Sequence, residues 1–126
     1  MRLEHLLVLT DDLEATRAFW CDALGLEVGG RPPLEFPGCW LYAGGVPCVH
    51  VAERAAYEAH AATLGLAAVP GPVDHVAFAA GDHGALVARL DAAGVEAVRN
   101  EIPSAGIRQL FVTDPNGVRV ELNVRD

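Results

Sequence analysis

The stretch Val73-Asp74-His75-Val76-Ala77-Phe78 repeats the pattern of an earlier one, Leu3-Glu4-His5-Leu6-Leu7-Val8, at an offset of 70 residues between the two histidines. Each copy is a short apolar segment with one histidine in it, which predicts a strand that carries an imidazole on one face. A single long period of this kind indicates two copies of one supersecondary unit, neither of which buries its apolar face alone.

The repeat continues beyond the histidines. In each copy an acidic start, Asp11-Asp12 or Asp82, leads into an Ala/Leu-rich segment that stops at a glycine, Gly25 or Gly94. Acidic side chains cap helix N-termini, and glycine adopts the left-handed conformation that ends a helix. Because strand-like segments follow each glycine, the sequence predicts an α+β fold of two βαβββ units.

We predict one domain over residues 1–126, with a first unit over 1–53, a linker over 54–71 and a second unit over 72–126. The turn Asp114-Pro115-Asn116-Gly117 is the strongest local signal, since proline presets one turn position and glycine tolerates positive φ. The predicted strands are 2–10, 26–30, 38–43, 46–52, 73–80, 95–99, 106–113 and 118–124, with helices over about 13–24 and 83–93.

The composition limits the classes of protein to consider. Acidic residues number 17 against 9 basic ones, and the net charge of −8 disfavours a nucleic-acid or anionic membrane partner while it favours a cationic ligand. No apolar run reaches the ~20 residues that span a bilayer. Three cysteines without paired spacing are typical of reduced thiols. We therefore expect a soluble, cytoplasmic protein.

The last strands of the two copies supply a further pair of equivalent positions. Alignment of Val46-Pro47-Cys48-Val49-His50-Val51 with Gly117-Val118-Arg119-Val120-Glu121-Leu122 places His50 opposite Glu121. Alternation along the last strand puts Glu121 on the face of Arg119 and Asn123, away from the valines. Packing of the two units about a pseudo-twofold would bring His5, His50, His75 and Glu121 to related places around one site.

Two histidines and a carboxylate are the donor set of a borderline divalent ion. Imidazole nitrogens from His5 and His75 with the carboxylate of Glu121 would suit Mn, Fe(II), Co, Ni or Zn and leave coordination positions for water and substrate. The alternative is that Glu121 pairs with Arg119 or Arg108, since a carboxylate on an inward face is costly without a partner.

The chain resembles the vicinal oxygen chelate superfamily, which includes glyoxalase I, extradiol dioxygenases, methylmalonyl-CoA epimerase, fosfomycin resistance enzymes and bleomycin resistance proteins. The resemblance spans nearly the whole chain. The segments that carry it are Leu3 to Asp11, Phe19-Trp20 through Leu26, Asp74-His75-Val76-Ala77-Phe78, and Phe111 through Asp114-Pro115-Asn116-Gly117 to Leu122.

The resemblance implies paired βαβββ units that form a curved, half-open barrel around a divalent metal. It also implies a homodimer in which units from two chains complete each barrel, so that the active site is shared. His5, His75 and Glu121 match the shared His, His and Glu ligands. His50 falls where glyoxalase I has a glutamate and the epimerase a glutamine, which disfavours lactoylglutathione lyase activity.

Two functions follow as hypotheses. The first is a divalent-metal-dependent enzyme, a lyase, isomerase or dioxygenase, whose small substrate chelates the metal through adjacent oxygens, with Glu121 or His50 moving a proton. Arg108 and Arg119 are the expected anchors for a substrate carboxylate. The second is a metal-free dimeric binding protein that sequesters a cationic antibiotic. A sensor or carrier with a vestigial metal site is a third reading.

Overall fold

The computed structural model describes residues 3–68, 71 and 75–125, which form two four-stranded sheets and three α-helices. The helices are α1 (Leu13–Ala18), α2 (Arg54–Thr63) and α3 (His83–Ala92). One π-helical turn, Phe19–Ala23, continues α1, and a 3-10 turn, Pro103–Ala105, lies between two strands of the second sheet. None of the helices in these residues is long and apolar enough to cross a membrane.

The two sheets have the same topology. In the first sheet β1 (Leu6–Thr10) pairs in parallel with β4 (Val46–Glu53), and β3 (Gly38–Ala43) and β2 (Glu27–Gly29) follow in antiparallel order. The second sheet repeats this order. Its strands are β5 (His75–Ala80), β8 (Arg119–Arg125), β7 (Ile107–Thr113) and β6 (Val98–Ile102).

The strand register confirms the repeat in detail. Leu7 pairs with His50 in the first sheet, and Ala77, the residue equivalent to Leu7, pairs with Glu121 in the second. His50 and Glu121 therefore occupy the same position in the two units, as the alignment of the sequence predicts.

Several boundaries differ from those predicted. The first strand begins at Leu6, so His5 precedes it, and residues 73 and 74 of the predicted fifth strand lie outside the described residues. Strand β6 starts at Val98 because the chain first turns back from α3, where the amide of Val95 donates to the carbonyl of Leu90. Strand β6 then pairs with β7 as far as Ile102, three residues beyond the predicted end of the strand at 99.

The helix ends follow the predicted capping. The carboxylate of Asp12 accepts a hydrogen bond from the amide of Ala15 at 2.9 Å, so Asp12, and not Asp11, caps α1. Asp82 caps α3 in the same way through the amide of Ala85. Gly25 has a φ of 84°, the left-handed conformation expected after the first helix.

One cluster of buried side chains joins the two units. Trp20, on the π-helical turn of the first unit, packs edge to face against Phe78 of β5, and its indole Nε1 donates to Asp114 at 3.2 Å. The amide of Asn116 donates to Thr16 on α1. The cluster comprises Val8, Phe19, Trp20, Ala23, Leu26, Leu41, Val49, Val51, Leu90, Leu110, Val112, Val120 and Leu122.

The faces of the two sheets that point away from this cluster are exposed to solvent. In β5 the residues His75, Ala77 and Ala79 are exposed while the alternate positions are half-buried, and Leu7 in β1 is 37% exposed. The sheets of a single chain are not closed into a barrel. The valine-rich face of β8 is buried, and the face that carries Glu121 is the open one, as predicted.

We predict that Asp114→Ala destabilises the protein by about 3 kcal/mol, because it leaves the buried indole N–H of Trp20 and the amide N–H groups of the turn without their acceptor. Chemical denaturation measures this change in the free energy of unfolding. Asp91→Ala, at an exposed position of α3, is the control and should shift it by less than about 0.5 kcal/mol. Equal effects would contradict the assigned role of Asp114.

Candidate functional site

His75 and Glu121 meet on the open face of the second sheet. The two strands that carry them run in parallel, and His75 lies at the start of β5, two residues before the partner of Glu121. The imidazole Nε2 of His75 lies 3.1 Å from Oε2 of Glu121. The side chain of Glu121 is 13% exposed and that of His75 is 38% exposed, so the pair sits at the floor of the open face.

Side-chain amides hold the other oxygen of Glu121. Its Oε1 accepts hydrogen bonds from Nε2 of Gln109 at 2.9 Å and from Nδ2 of Asn123 at 2.7 Å. Gln109 also donates to Oδ1 of Asn123 at 3.0 Å, and Nδ2 of Asn100 donates to Oε1 of Gln109 at 2.7 Å. The carboxylate is thus fixed by neutral donors on β7 and β8, one of which is itself held by Asn100 of β6.

His5 and His50 form a second pair on the open face of the first sheet. Their rings are stacked with centroids 3.9 Å apart, and the other side of the His50 ring stacks on Trp40 at 4.0 Å. Burial lowers the pKa of His50 below its ordinary value, and the neighbouring His5 lowers it further. His50 is therefore held as a neutral imidazole near neutral pH.

The four predicted residues do not converge in one place. Within residues 3–68, 71 and 75–125 no group of three or more His, Cys, Asp or Glu side chains is close enough to hold a metal ion. The structure brings together His75 with Glu121 and His5 with His50, one pair on each sheet. The first pair supplies two of the three predicted metal ligands, and the second pair supplies the third, His5.

The two arginines predicted as substrate anchors lie on different faces. Arg119 lies two residues before Glu121 on β8 and therefore shares its open face. Arg108 pairs with Val124, in line with the buried Leu110, and therefore lies on the face turned toward the core. The position of Arg108 gives no support to a role as an anchor, and that role remains a prediction.

The sequence interpretation did not assign roles to Gln109, Asn100 or Trp40. Asn123 was predicted to share the face of Glu121, but not to bond to it. Asn123 could have been found because side chains two residues apart on a strand share a face. Gln109 and Asn100 could be found only if the pairing of β7 with β8 and of β6 with β7 were known. Trp40 could not have been found from the Gly44-Gly45 turn alone, because a two-residue turn would set Trp40 against Val49. A register shift between Leu41 and Ala43 brings Trp40 opposite His50.

A cavity between two elements of the second unit lies away from both pairs. It measures about 570 Å³ and lies between α3 and β6, with a lining that includes Leu90, Glu96 and Arg99. None of the predicted site residues lines it. The face that carries the His75–Glu121 pair is an open surface in the single chain. An enclosed pocket would form there only if another molecule covered this face.

Comparison with known proteins places the chain in a family. A family model described as Glyoxalase/Bleomycin resistance protein/Dioxygenase superfamily matches residues 2–122. "Glyoxylase I 4" of Arabidopsis thaliana is 29% identical over 127 aligned residues, which cover 95% of this chain and 68% of the relative.

Solved structures agree on the fold. A glyoxalase family protein from Bacillus anthracis superposes with a TM-score of 0.74 at 21% identity, over 100% of this chain and 96% of that one. A mutant of the fosfomycin resistance protein FosX from Listeria monocytogenes, in a complex with Mn(II) and a dihydroxypropylphosphonic acid, has a TM-score of 0.69 at 17% identity, over 97% and 90% of the two chains.

We predict that the imidazole of His50 in metal-free protein titrates below the ordinary histidine value, and that Trp40→Ala raises its pKa toward that value because the ring becomes hydrated. NMR titration of the histidine side chains measures both midpoints. Tyr42→Ala, on the same strand and face, is the control and should leave the midpoint unchanged. A midpoint for His50 that Trp40→Ala does not move would contradict the stacked arrangement.

Proposed function

The chain belongs to the Glyoxalase/Bleomycin resistance protein/Dioxygenase superfamily, and on this premise we propose that it is a divalent-metal-dependent enzyme. Its substrate in this proposal is a small molecule that chelates the metal through adjacent oxygens. The proposed ligands are His75 and Glu121 of one chain and His5 of a second chain, so that a homodimer holds two equivalent centres.

The observation that carries the proposal is the separation of His75 and Glu121. Imidazole nitrogen and carboxylate oxygen each bind a Zn-like ion at about 2.0 to 2.2 Å, so two such atoms at a right angle are about 3.0 Å apart. Nε2 of His75 and Oε2 of Glu121 are 3.1 Å apart. The pair can accept an ion between its two donor atoms with little movement of either strand.

A simple ion pair accounts for the same distance but not for the surroundings of Glu121. An ion pair gains from several donors around both oxygens, whereas here the amides of Gln109 and Asn123 converge on Oε1 alone. The other oxygen, Oε2, lies beside His75 on the open face. That division of the two oxygens favours a ligand role.

His5 is proposed to come from the partner chain because the two pairs lie on separate sheets. The side chain of His5 is 38% exposed and lies beside His50 on the open face of the first sheet. A second copy that places this face over the second sheet would add His5 to His75 and Glu121. The same contact would cover Leu7 and Ala77, which are exposed in the single chain.

The metal, when bound, would supply a positive charge that polarises two neighbouring substrate oxygens. The roles proposed for the chain follow from the positions of its own groups. Glu121 and His50 are the candidate proton carriers, and the lowered pKa of His50 leaves its ring neutral and able to accept a proton. Arg119, on the face of Glu121, is the proposed anchor for a substrate carboxylate.

The donor set is compatible with several metals. Imidazole and carboxylate together suit Mn, Fe(II), Co, Ni and Zn, whereas the three cysteines that would favour a thiolate site are free, partly buried thiols. Burial raises the pKa of Cys39 and Cys21, which disfavours their thiolate forms. We propose an oxygen- and nitrogen-ligated ion.

The net charge of −8 favours a second candidate, a metal-free dimer that sequesters a cationic antibiotic in the groove between its chains. The dimer proposed for the enzyme would also provide this groove. The two candidates differ in whether a divalent ion occupies the His75–Glu121 pair, so one measurement separates them.

We predict that the protein, purified without a histidine tag or chelator and reloaded separately with Mn, Fe(II), Ni or Zn, binds about one ion per chain with at least one of these metals. His5→Ala, His75→Ala and Glu121→Ala should each reduce the bound ion to a small fraction of that value. Elemental analysis after gel filtration measures the content. His83→Ala and Glu96→Ala are matched controls outside both pairs.

The assignment of His5 to the partner chain has its own test. A heterodimer of one His5→Ala chain and one Glu121→Ala chain contains one centre with all its ligands and one that lacks two, so it should bind about half an ion per chain. Homodimers of either variant should bind none. Absence of an ion from the wild-type protein under every loading would refute the enzyme proposal and direct the work to titrations with cationic antibiotics.

A further inference from the structure

The hydrogen bonds around Glu121 are unequally divided between its two oxygens. A carboxylate oxygen has two lone pairs, and Oε1 accepts two N–H donors, Nε2 of Gln109 at 2.9 Å and Nδ2 of Asn123 at 2.7 Å. Oε1 is therefore saturated. Oε2, by contrast, is directed to His75 at 3.1 Å.

The orientation of the donors is itself fixed. A glutamine amide has one donor end and one acceptor end, and the acceptor end of Gln109 receives Nδ2 of Asn100 at 2.7 Å. Its donor end must then face Glu121 and Asn123, to both of which it donates. Reversal of the Gln109 amide would bring two NH₂ groups together at Asn100 and two oxygens together at Glu121.

We propose that Asn100, Gln109 and Asn123 form an amide clamp that restricts Glu121 to metal coordination through Oε2 alone. The inference rests on the proposed function. It adds that these three residues determine how many coordination positions of the metal stay open for substrate. Coordination through both oxygens would require Oε1 to give up at least one of its two N–H bonds. The clamp residues are positioning residues, because Gln109 and Asn123 bond to Glu121 and Asn100 acts through Gln109.

The consequence concerns the substrate. A six-coordinate ion with three single-atom protein ligands keeps about three positions, enough for two adjacent substrate oxygens. If Glu121 bound through both oxygens, about two positions would remain, and a chelating substrate would have to displace every bound water. The clamp thus selects a metal site that is open to a two-oxygen ligand.

The test counts metal-bound waters. Mn²⁺-loaded dimers of the wild type and of the double variant Gln109→Ala/Asn123→Ala are compared by water-proton relaxation at saturating protein. We expect the wild type to keep about three waters and the double variant about two, so that the relaxation enhancement falls by about a third. Asn123→Ala alone, which leaves Oε1 one donor, should give an average between these values and is used if the double variant does not fold.

Thr113→Ala is the matched control, since Thr113 is exposed on the same face of β7 and outside the clamp. It should keep the water number of the wild type. An unchanged water number in the double and single clamp variants, with Mn²⁺ bound, would overturn the clamp and leave the metal enzyme standing. Failure of the wild type to bind Mn²⁺ or any of the other metals would overturn the proposed function, and the clamp with it.

Discussion

The hydrogen bond between the indole of Trp20 and the carboxylate of Asp114 is the contact on which the arrangement of the two units depends. Both groups are buried, and they join the helix of the first unit to the β7–β8 turn of the second. Asn116 extends the junction to Thr16, whose hydroxyl in turn donates to Thr10 at the end of β1. A polar chain thus runs through the apolar core from one unit to the other.

The same carboxylate sets the register of the hairpin that carries the candidate site. Oδ1 of Asp114 accepts the amides of Asn116 and Val118, while the amide of Asp114 donates to the carbonyl of Val118. This closes a five-residue loop, so that Thr113 pairs with Arg119. A tighter loop that paired Thr113 with Val118 would turn every residue of β7 to the other face, because side chains alternate along a strand.

That one-residue difference decides which side chains reach Glu121. In the observed register Gln109 pairs with Asn123 on the open face, and Arg108 lies on the core side. In the tighter register Arg108 would stand beside Asn123, and Gln109 would point into the core. The turn sequence predicts a hairpin, but it does not indicate which backbone amides donate to the Asp114 carboxylate. The neighbours of Glu121 therefore could not be predicted from the local sequence.

Features that depend on short-range rules were accessible from the sequence. The capping by Asp82 and the left-handed Gly25 involve neighbours within a few residues, and the repeat is a direct similarity of two segments. The structure confirms all three. The equivalence of His50 with Glu121 was also accessible, because both lie on the strand that pairs with the first strand of their unit. The stack of His5 on His50 and Trp40 was not, since it joins three separate segments.

The covered faces of the sheets explain why the His75–Glu121 pair and the His5–His50 pair stay apart in a single chain. The core already fills the space between the units with the valine-rich faces of both sheets, and Trp20 lies among them without exposed surface. Turning the open faces toward each other within one chain would expose that core, at a cost of about 1.5 to 3 kcal/mol for each large side chain brought to water. A further metal ligand for the His75–Glu121 pair would therefore have to approach from outside the chain, and in the proposed dimer His5 on the open face of a second copy is that ligand.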